Sequence, residues 1–331
     1  MQRILTEHEM PQAGRTGKST MAEPLTQLEA NRLRQSLGTK LASEAKSRGV
    51  AADPIRKQYI FTIFLSRIFQ DSDAPWVLLG GNALLIRTGG GRFTLDVDLA
   101  RETPWTSTDD ALSELRQLSS RPHHGDPFEF ELYSMTIQRE ADPYGYGTET
   151  AKVKARALLG GREFESFSID LTTRRHLDAP VDHVPLKPII DHETLKDLPS
   201  IPTIPIEHHL ADKICALYER HGRDGHEAST RYRDLADIVR IVAAIPFDAA
   251  RLTTVLGREA ARRQLTLPNK VHAPSEDWVV GFPRSAAGFA EYPREYWDLN
   301  AAVTFCSTCL DEILNAERTT GTWDPARLSW Q

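Results

Sequence analysis

Apolar residues at helical spacing first appear after a polar, patternless stretch over residues 1–24, which we expect to be a flexible leader. From Leu25 to Gly49 leucines recur on one helical face, which predicts an amphipathic helix. The segment Ala52-Asp53-Pro54 then predicts the start of a second helix, with Asp53 as the cap residue and Pro54 in the first turn.

A short apolar run, two glycines and a second apolar run follow each other next. Trp76-Val77-Leu78-Leu79 predicts a short buried strand, Gly80-Gly81 a turn, and Asn82 to Arg87 a helix. The segment from Arg92 to Ala100 alternates between apolar and polar residues, which predicts a strand. Because alternate residues of a strand share a face, the aspartates of Asp96-Val97-Asp98 point the same way.

The middle of the chain predicts one further helix and three strands. The helix spans Thr108–Ser119, and the strands span Phe128–Gln138, Ala151–Leu159 and Phe164–Leu171. Gly160-Gly161 predicts a two-residue hairpin turn between the last two strands. A proline-rich connector is expected from Asp178 to Pro205, and the remainder is predicted to be mainly helical.

These elements predict an α+β fold, with a mixed or antiparallel sheet, flanking helices and a helical C-terminal part. We expect the N-terminal helices and the sheet core at 25–178. A mainly helical domain at 179–331 is expected to complete the functional site.

Composition narrows the classes of function. The chain is 40% hydrophobic and 26% charged, as folded globular proteins are. Its apolar runs fall short of the ~20 residues that a membrane helix needs, and the N-terminus lacks an export signal core, so we expect a cytoplasmic protein without a membrane partner. The net charge of -6 argues against broad, non-specific nucleic-acid binding. The basic strand face of Lys152, Lys154 and Arg156 favours either a solvated surface or an RNA contact.

The cysteines carry little functional signal. Cys306 and Cys309 form one CxxC within a helical pattern, and no second pair of cysteines or histidines stands near them to complete a zinc site. We therefore interpret these thiols as buried residues of a helix face, which suits a reducing compartment.

The placement of carboxylates suggests chemistry on phosphates. Aspartate is disfavoured inside strands, yet Asp96, Asp98 and Asp170 all lie in predicted strands. Nucleotidyl transfer uses two divalent metals ~4 Å apart, held by carboxylates and shared with substrate phosphates. Gly80-Gly81 at a helix start supplies backbone amides that a triphosphate can approach closely.

These motifs resemble those of a known family. Trp76-Val77-Leu78-Leu79-Gly80-Gly81-Asn82-Ala83-Leu84, followed by Arg92-Phe93-Thr94-Leu95-Asp96-Val97-Asp98-Leu99, looks like the AbiEii/AbiGii toxin family, which includes the MenT-type toxins. That family belongs to the polymerase β-type nucleotidyltransferase superfamily. Glu207 to Ile214 resembles its helix with a phosphate-binding lysine, and Arg233-Asp234-Leu235-Ala236-Asp237 resembles its Arg-Asp-x-x-Asp helix. The resemblance covers roughly Ile55 to Ala244.

The resemblance implies a polymerase β-type core and the roles of several residues. Asp96, Asp98 and Asp170 are implied ligands of two Mg²⁺ ions, with Mn²⁺ as the alternative metal, and Asp170 is also a candidate base. Lys213 is implied to bind the triphosphate, and Asp234 to be an active-site carboxylate. An NTP donor, a tRNA 3′ end as acceptor and an antitoxin from a neighbouring gene are the implied partners.

Residues beside these motifs leave alternatives open. Asn82 follows the glycines where the family often has threonine, and Leu79 precedes them where it often has lysine, so either could alter which nucleotide binds. Arg92 could neutralise a phosphate or pair with a surface acid, and Thr94 is expected to line the site. His208 and His209 lack the spacing of helical zinc ligands, so we interpret them as ordinary surface or helix residues.

Three functions compete at this point. The leading hypothesis is a toxin of a type IV-like toxin–antitoxin system that transfers a nucleotide to an RNA 3′ end. The second keeps the nucleotidyltransferase activity but uses a small molecule or a protein hydroxyl as acceptor. The third is a nucleotide- or RNA-binding module without catalysis, which the complete set of carboxylates disfavours.

Overall fold

A computed structural model describes most of the chain. The described residues are 25–71, 73–90, 93–101, 107–138, 150–173, 180–222, 226–289 and 291–331. The predicted leader at 1–24 and the candidate phosphate ligand Arg92 lie outside the described residues.

Helices account for much of the described chain and, with the sheet described below, confirm the α+β prediction. They are α1 (Gln27–Arg48), α2 (Ala52–Ile68), α3 (Gly80–Thr88), α4 (Thr108–Ser119), α5 (Ile206–Tyr218), α6 (Tyr232–Ala244), α7 (Ala249–Arg262), α8 (Trp278–Ala286) and α9 (Leu299–Leu314). A capping box of Thr26 and Glu29 begins α1, and Gly49 ends it in the left-handed conformation. The predicted cap of α2 was wrong: Ala51 is the cap residue, and Asp53 lies within the first turn, where its charge still suits the helix dipole.

Among the described residues, seven strands form one mixed sheet. The strands are β1 (Trp76–Leu78), β2 (Asp96–Arg101), β3 (Phe128–Gln138), β4 (Thr150–Leu159), β5 (Arg162–Thr173), β6 (Asp182–Pro185) and β7 (Ser200–Thr203), and short hairpins follow at β8 (Arg220–His221), β9 (Glu227–Ala228), β10 (Trp323–Asp324) and β11 (Ser329–Trp330). Their order in the sheet is β3-β4-β5-β2-β1-β7-β6. The pairs β2–β5 and β1–β7 are parallel, and the others are antiparallel.

Two predictions about strands were wrong. β2 begins at Asp96, later than the predicted start at Arg92, because Thr94 turns inward to bind the backbone of Asp96 while Leu95 is 68% exposed. The predicted connector from Asp178 to Pro205 contains β6, β7 and a 3-10 turn. Both strands are only four residues long and contain a proline, so their sequences lack the alternation of apolar and polar residues that predicts a strand.

In the part of the chain that the structure describes, apolar side chains form two clusters. The first packs α1, α2 and α4 against the sheet and extends to Ile204, and the second joins α5 to α9. Helix α3 takes part in both, because Ala83 packs into the first cluster and Leu84 into the second. The predicted division at residues 178 and 179 lies outside the described residues, and we propose a boundary after Ile204, where the first cluster ends. None of the helices described is both long and apolar enough to cross a bilayer.

Candidate active site

A cleft of about 560 Å³ lies where α3 and β2 meet α5 and α6. Most of the residues predicted to act on the nucleotide line it together. These are Gly80, Gly81, Thr94, Asp96, Asp98, Lys213 and Asp234. The two halves of the chain therefore contribute to one polar site, although Asp234 lies more than a hundred residues beyond Asp98.

Gly80 is placed directly against Asp98. Its φ of +60° is a left-handed conformation that glycine adopts without strain. A Cβ atom on Gly80 would stand 1.9 Å from Oδ2 of Asp98, so a larger residue could not occupy this turn without displacing the carboxylate. The backbone N–H of Leu79 donates to the carbonyl oxygen of Asp98 over 2.9 Å, which joins the start of α3 to β2.

The predicted carboxylates lie on adjacent strands. Asp98 is paired in register with Asp170, and Asp96 with Ser168, across the parallel strands β2 and β5. Neighbouring strands are ~4.8 Å apart, so Asp98 and Asp170 are close. Burial, and then repulsion by Asp96 and Asp170, raises the pKa of Asp98 to about 7, while Lys213 and Lys152 oppose the shift.

Asp170 is bound by a cation of the next strand. Nζ of Lys152 lies 2.9 Å from Oδ1 and 3.1 Å from Oδ2 of Asp170, and this contact raises the pKa of Lys152 above its usual value. Asp170 is not among the residues that line the cleft itself. Asp170 is instead the neighbour, on β5, of the lining residue Asp98. Its metal-binding role remains a prediction.

Lys213 is held by two carboxylates of α6. Its ammonium donates to Oδ1 of Asp234 over 3.1 Å and to Oδ2 of Asp237 over 2.7 Å, and its side chain is 8% exposed. Arg231 binds the other oxygen of Asp234 over 2.8 Å and faces the cleft. A buried ammonium and an exposed guanidinium thus meet at Asp234, and both residues line the same cleft as Asp96 and Asp98.

Asn82 lies beneath the cleft rather than along it. Its side chain is fully buried, and its amide donates to Oγ1 of Thr94 over 2.9 Å and to the carbonyl oxygen of Asp96 over 2.7 Å. Thr94 also donates to that carbonyl over 2.8 Å. Asn82 and Thr94 therefore hold Asp96, the first residue of β2, in place. Asn82 affects the nucleotide site indirectly, through its contacts with Thr94 and the backbone of Asp96.

The donor set suits magnesium in one respect. Asp96 and Asp98 offer hard oxygen ligands within a polar cleft. Burial and then repulsion by Asp96 and Asp170 raise the pKa of Asp98, and a divalent cation offsets such repulsion. Within the described ranges, no group of three or more His, Cys, Asp or Glu side chains is arranged to hold a metal. Asp96 and Asp98 suit Mg²⁺, which commonly takes its remaining ligands from phosphate oxygens and water.

Comparison with known proteins decides the family. The model of the family described as "Nucleotidyl transferase AbiEii toxin, Type IV TA system" matches residues 63–304. The chain belongs to the AbiEii family of nucleotidyltransferase toxins. The match extends beyond the sheet into α9, so the helices that supply Lys213 and Asp234 are part of the family's domain.

Several solved structures are similar to this chain. The nucleotidyltransferase toxin MenT4 of Mycobacterium tuberculosis is 18% identical, with a TM-score of 0.52 over 87% of this chain and 91% of that chain. Protein JHP933 of Helicobacter pylori is 15% identical, with a TM-score of 0.45 over 81% and 94%. A putative nucleotidyltransferase of Helicobacter pylori is 14% identical, with a TM-score of 0.43 over 83% and 97%. No curated protein matches the sequence.

Site residues of this AbiEii chain that were not proposed from the sequence include Arg231, Asp237 and His209. Asp237 lies three residues after Asp234 and therefore on the same face of α6, which was a usable signal. His209 lies four residues before Lys213 on α5 and lines the cleft; it occupies a helix position, one of the two predicted alternatives, but at 2% exposure it is not a surface residue. Its helical spacing to Lys213 was the signal that could have placed it there.

Proposed function

We propose that this AbiEii toxin transfers a nucleoside monophosphate from an NTP to the 3′ hydroxyl of an RNA, with the tRNA 3′ end as acceptor and two Mg²⁺ ions bound. The observation that carries the proposal is the shared cleft. Asp96 and Asp98 line it beside the Gly80-Gly81 turn, and Lys213 of α5 lines the same cleft.

The reaction exchanges one oxygen for another at the α-phosphorus of the NTP. The acceptor oxygen attacks the α-phosphorus, the bond from that phosphorus to the pyrophosphate oxygen breaks, and the hydroxyl proton is released. Magnesium, when bound, supplies positive charge that offsets the negative charge developing on the phosphate oxygens. Asp96 and Asp98 would hold it, and Asp170 is the proposed third ligand.

The chain's own groups position both substrates. The backbone amides that follow Gly80-Gly81 open a helix and suit the triphosphate, whose charge is also attracted by Lys213 and Arg231. Asp234 and Asp237 keep the ammonium of Lys213 in place. Asp170, whose carboxylate is bound by Lys152, is the proposed acceptor of the hydroxyl proton.

The test is nucleotide incorporation into RNA. The purified protein is incubated with total tRNA, Mg²⁺ and each of the four NTPs labelled at the α-phosphate. We expect label in tRNA with at least one NTP, and none with Asp96→Asn, which keeps the size of the side chain but removes its charge. Asp109→Asn is the matched control, because Asp109 is an exposed residue of α4.

Each outcome separates the competing functions. Equal incorporation by Asp96→Asn contradicts the proposed site. Label in a small molecule or a protein with tRNA untouched establishes the alternative acceptors. Binding of NTP without transfer to any acceptor favours a non-catalytic module.

We further propose that the chain acts as the toxin of a type IV-like pair with an antitoxin from a neighbouring gene. Expression in a bacterial host is expected to arrest growth, and Asp96→Asn is expected to abolish the arrest. Co-expression of the neighbouring gene should restore growth. Arrest that persists with Asp96→Asn would contradict a toxic activity at this site.

A further inference from the structure

We propose that the open face of β3, β4 and β5, beyond Asp170, binds the single-stranded 3′ end of the acceptor RNA, with Tyr133 as a stacking platform and Lys154 as a phosphate contact. This inference rests on the proposed function, since it locates the second substrate of the same site. The opposite face of these strands carries the core residues that pack on α2 and α4.

Two rows of side chains lead from the cleft across this open face. The first row is Asp98, Asp170, Lys152 and Thr136, and the second is Asp96, Ser168, Lys154 and Ser134, each running through β2, β5, β4 and β3. Three strand spacings of ~4.8 Å place β3 roughly 14 Å from the carboxylates of β2. A single strand of a few nucleotides can cover that distance, and Thr172 of β5 joins the face to the lining of the cleft.

Lys154, the lysine of the second row, is available to a ligand. Nζ of Lys154 donates to the hydroxyl of Ser168 over 3.0 Å, and the residue is exposed. In the part of the chain that the structure describes, no carboxylate pairs with Lys154. Its charge therefore faces solvent one row from Asp170, where a phosphate of an incoming strand could be bound. Lys152 differs, because it already holds Asp170.

An aromatic ring stands at the far end of the face. Tyr133 is 56% exposed and occupies the irregular position in β3 between Leu132 and Ser134. The guanidinium of Arg156 lies 5.5 Å from the centre of its ring, and Arg156 is itself bound by Glu131 over 2.6 Å. Arg156 thus holds the ring of Tyr133, while Glu131 neutralises the charge of Arg156. This arrangement suits stacking of a base on the ring more than attraction of a phosphate to Arg156.

These contacts suggest one direction for the acceptor. Its terminal hydroxyl would lie at Asp96 and Asp98, a phosphate near Lys154, and a base further from the end on Tyr133. Single-stranded nucleic acids are commonly bound by this combination of stacking and phosphate contacts, whereas the face is too mixed in charge for a duplex held by phosphates alone.

The experiment measures binding of a fluorescent single-stranded RNA oligonucleotide to the full chain without NTP, so that catalysis is not required. Tyr133→Ala is expected to weaken binding about tenfold, because stacking on one aromatic ring contributes that much or more. Tyr133→Phe keeps the ring and is expected to bind like the native protein. Lys154→Ala is expected to reduce the slope of log K against log salt by ~0.7, the value for one phosphate contact to a single strand. Lys196→Ala is the matched control, because Lys196 is an exposed lysine that lies outside β3, β4 and β5 and pairs with Glu193.

The outcomes separate this inference from the proposed function. Unchanged binding by both Tyr133→Ala and Lys154→Ala overturns the inference, even if the native protein labels tRNA. Tyr133-dependent RNA binding without any nucleotide transfer supports the inference and contradicts the proposed function. A native dimer that becomes monomeric in Tyr133→Ala overturns the inference, because the face would then be covered by a second copy.

Discussion

Gly80 and Asp98 are in contact across the start of α3, where a Cβ on Gly80 would stand 1.9 Å from a carboxylate oxygen of Asp98. The glycine therefore has two functions at once. It allows the left-handed turn that begins the helix, and it leaves the space in which the aspartate lies.

Gly80→Ala is expected to displace Asp98 and to reduce nucleotide transfer by at least a hundredfold. The strained φ is also expected to lower the free energy of unfolding, measured by denaturant titration, by ~1–3 kcal/mol. Gly38→Ala is the matched control: nothing lies within 4 Å of its Cβ position in α1, and alanine is the better helix former, so stability should rise by up to ~1 kcal/mol. Native-like activity in Gly80→Ala would show that the position of Asp98 does not matter.

Lys213→Met is expected to lose both activity and stability. The substitution removes hydrogen bonds from Asp234 and from Asp237, whose side chain is 1% exposed. Breaking a buried ion pair by removing one partner costs ~3–5 kcal/mol. Lys196→Met is the control, because Lys196 and its partner Glu193 are 64% and 90% exposed, and its effect should stay under ~1 kcal/mol. Equal unfolding free energies for the two variants would contradict a buried structural role for Lys213.

Asn82→Ala is expected to slow transfer without changing which NTP is preferred. The side chain binds Thr94 and the backbone of Asp96 from beneath, so its loss loosens a carboxylate and costs ~1–3 kcal/mol of stability. Competition among the four NTPs measures the preference, and Asn300→Ala in the exposed face of α9 is the control. A changed preference would mean that Asn82 contacts the nucleotide.

The thiols are expected to be unreactive in the folded protein. Burial raises the pKa of Cys215 to about 12 and raises the pKa values of Cys306 and Cys309 well above the usual range. Since the thiolate is the reactive form, a thiol reagent at pH 8 should label all three cysteines only after denaturation. Rapid labelling of the native protein, or a stoichiometric bound zinc ion, would contradict the interpretation of the CxxC as buried helix residues.

Strong local signals made much of the fold predictable. Helix α4 spans Thr108–Ser119 as predicted, and its cap Ser107 binds the backbone of Asp110. The turn at Gly160-Gly161 follows from the need for positive φ at both residues, and both have it. The carboxylate pair of β2 was also predictable, because strand alternation places Asp96 and Asp98 on one face.

The remaining features depend on tertiary contacts. Leu95 is exposed and Thr94 buried because Asn82, twelve residues from Thr94, offers a hydrogen bond that reverses the expected alternation. β7 pairs with β1 in a register that includes only Leu78 and Thr203, a contact between distant segments with no local pattern. The pairing of Lys152 with Asp170 required knowledge of which strand lies beside β5.

The most direct test of the account compares NTP labelled at the α-phosphate with NTP labelled at the γ-phosphate. Nucleotidyl transfer at the cleft of Asp96 and Asp98 predicts that α-label enters the acceptor RNA while γ-label leaves as pyrophosphate, and that Asp98→Asn abolishes both while Asp109→Asn does not. Transfer of γ-label to the acceptor, or unchanged α-label transfer by Asp98→Asn, would contradict it.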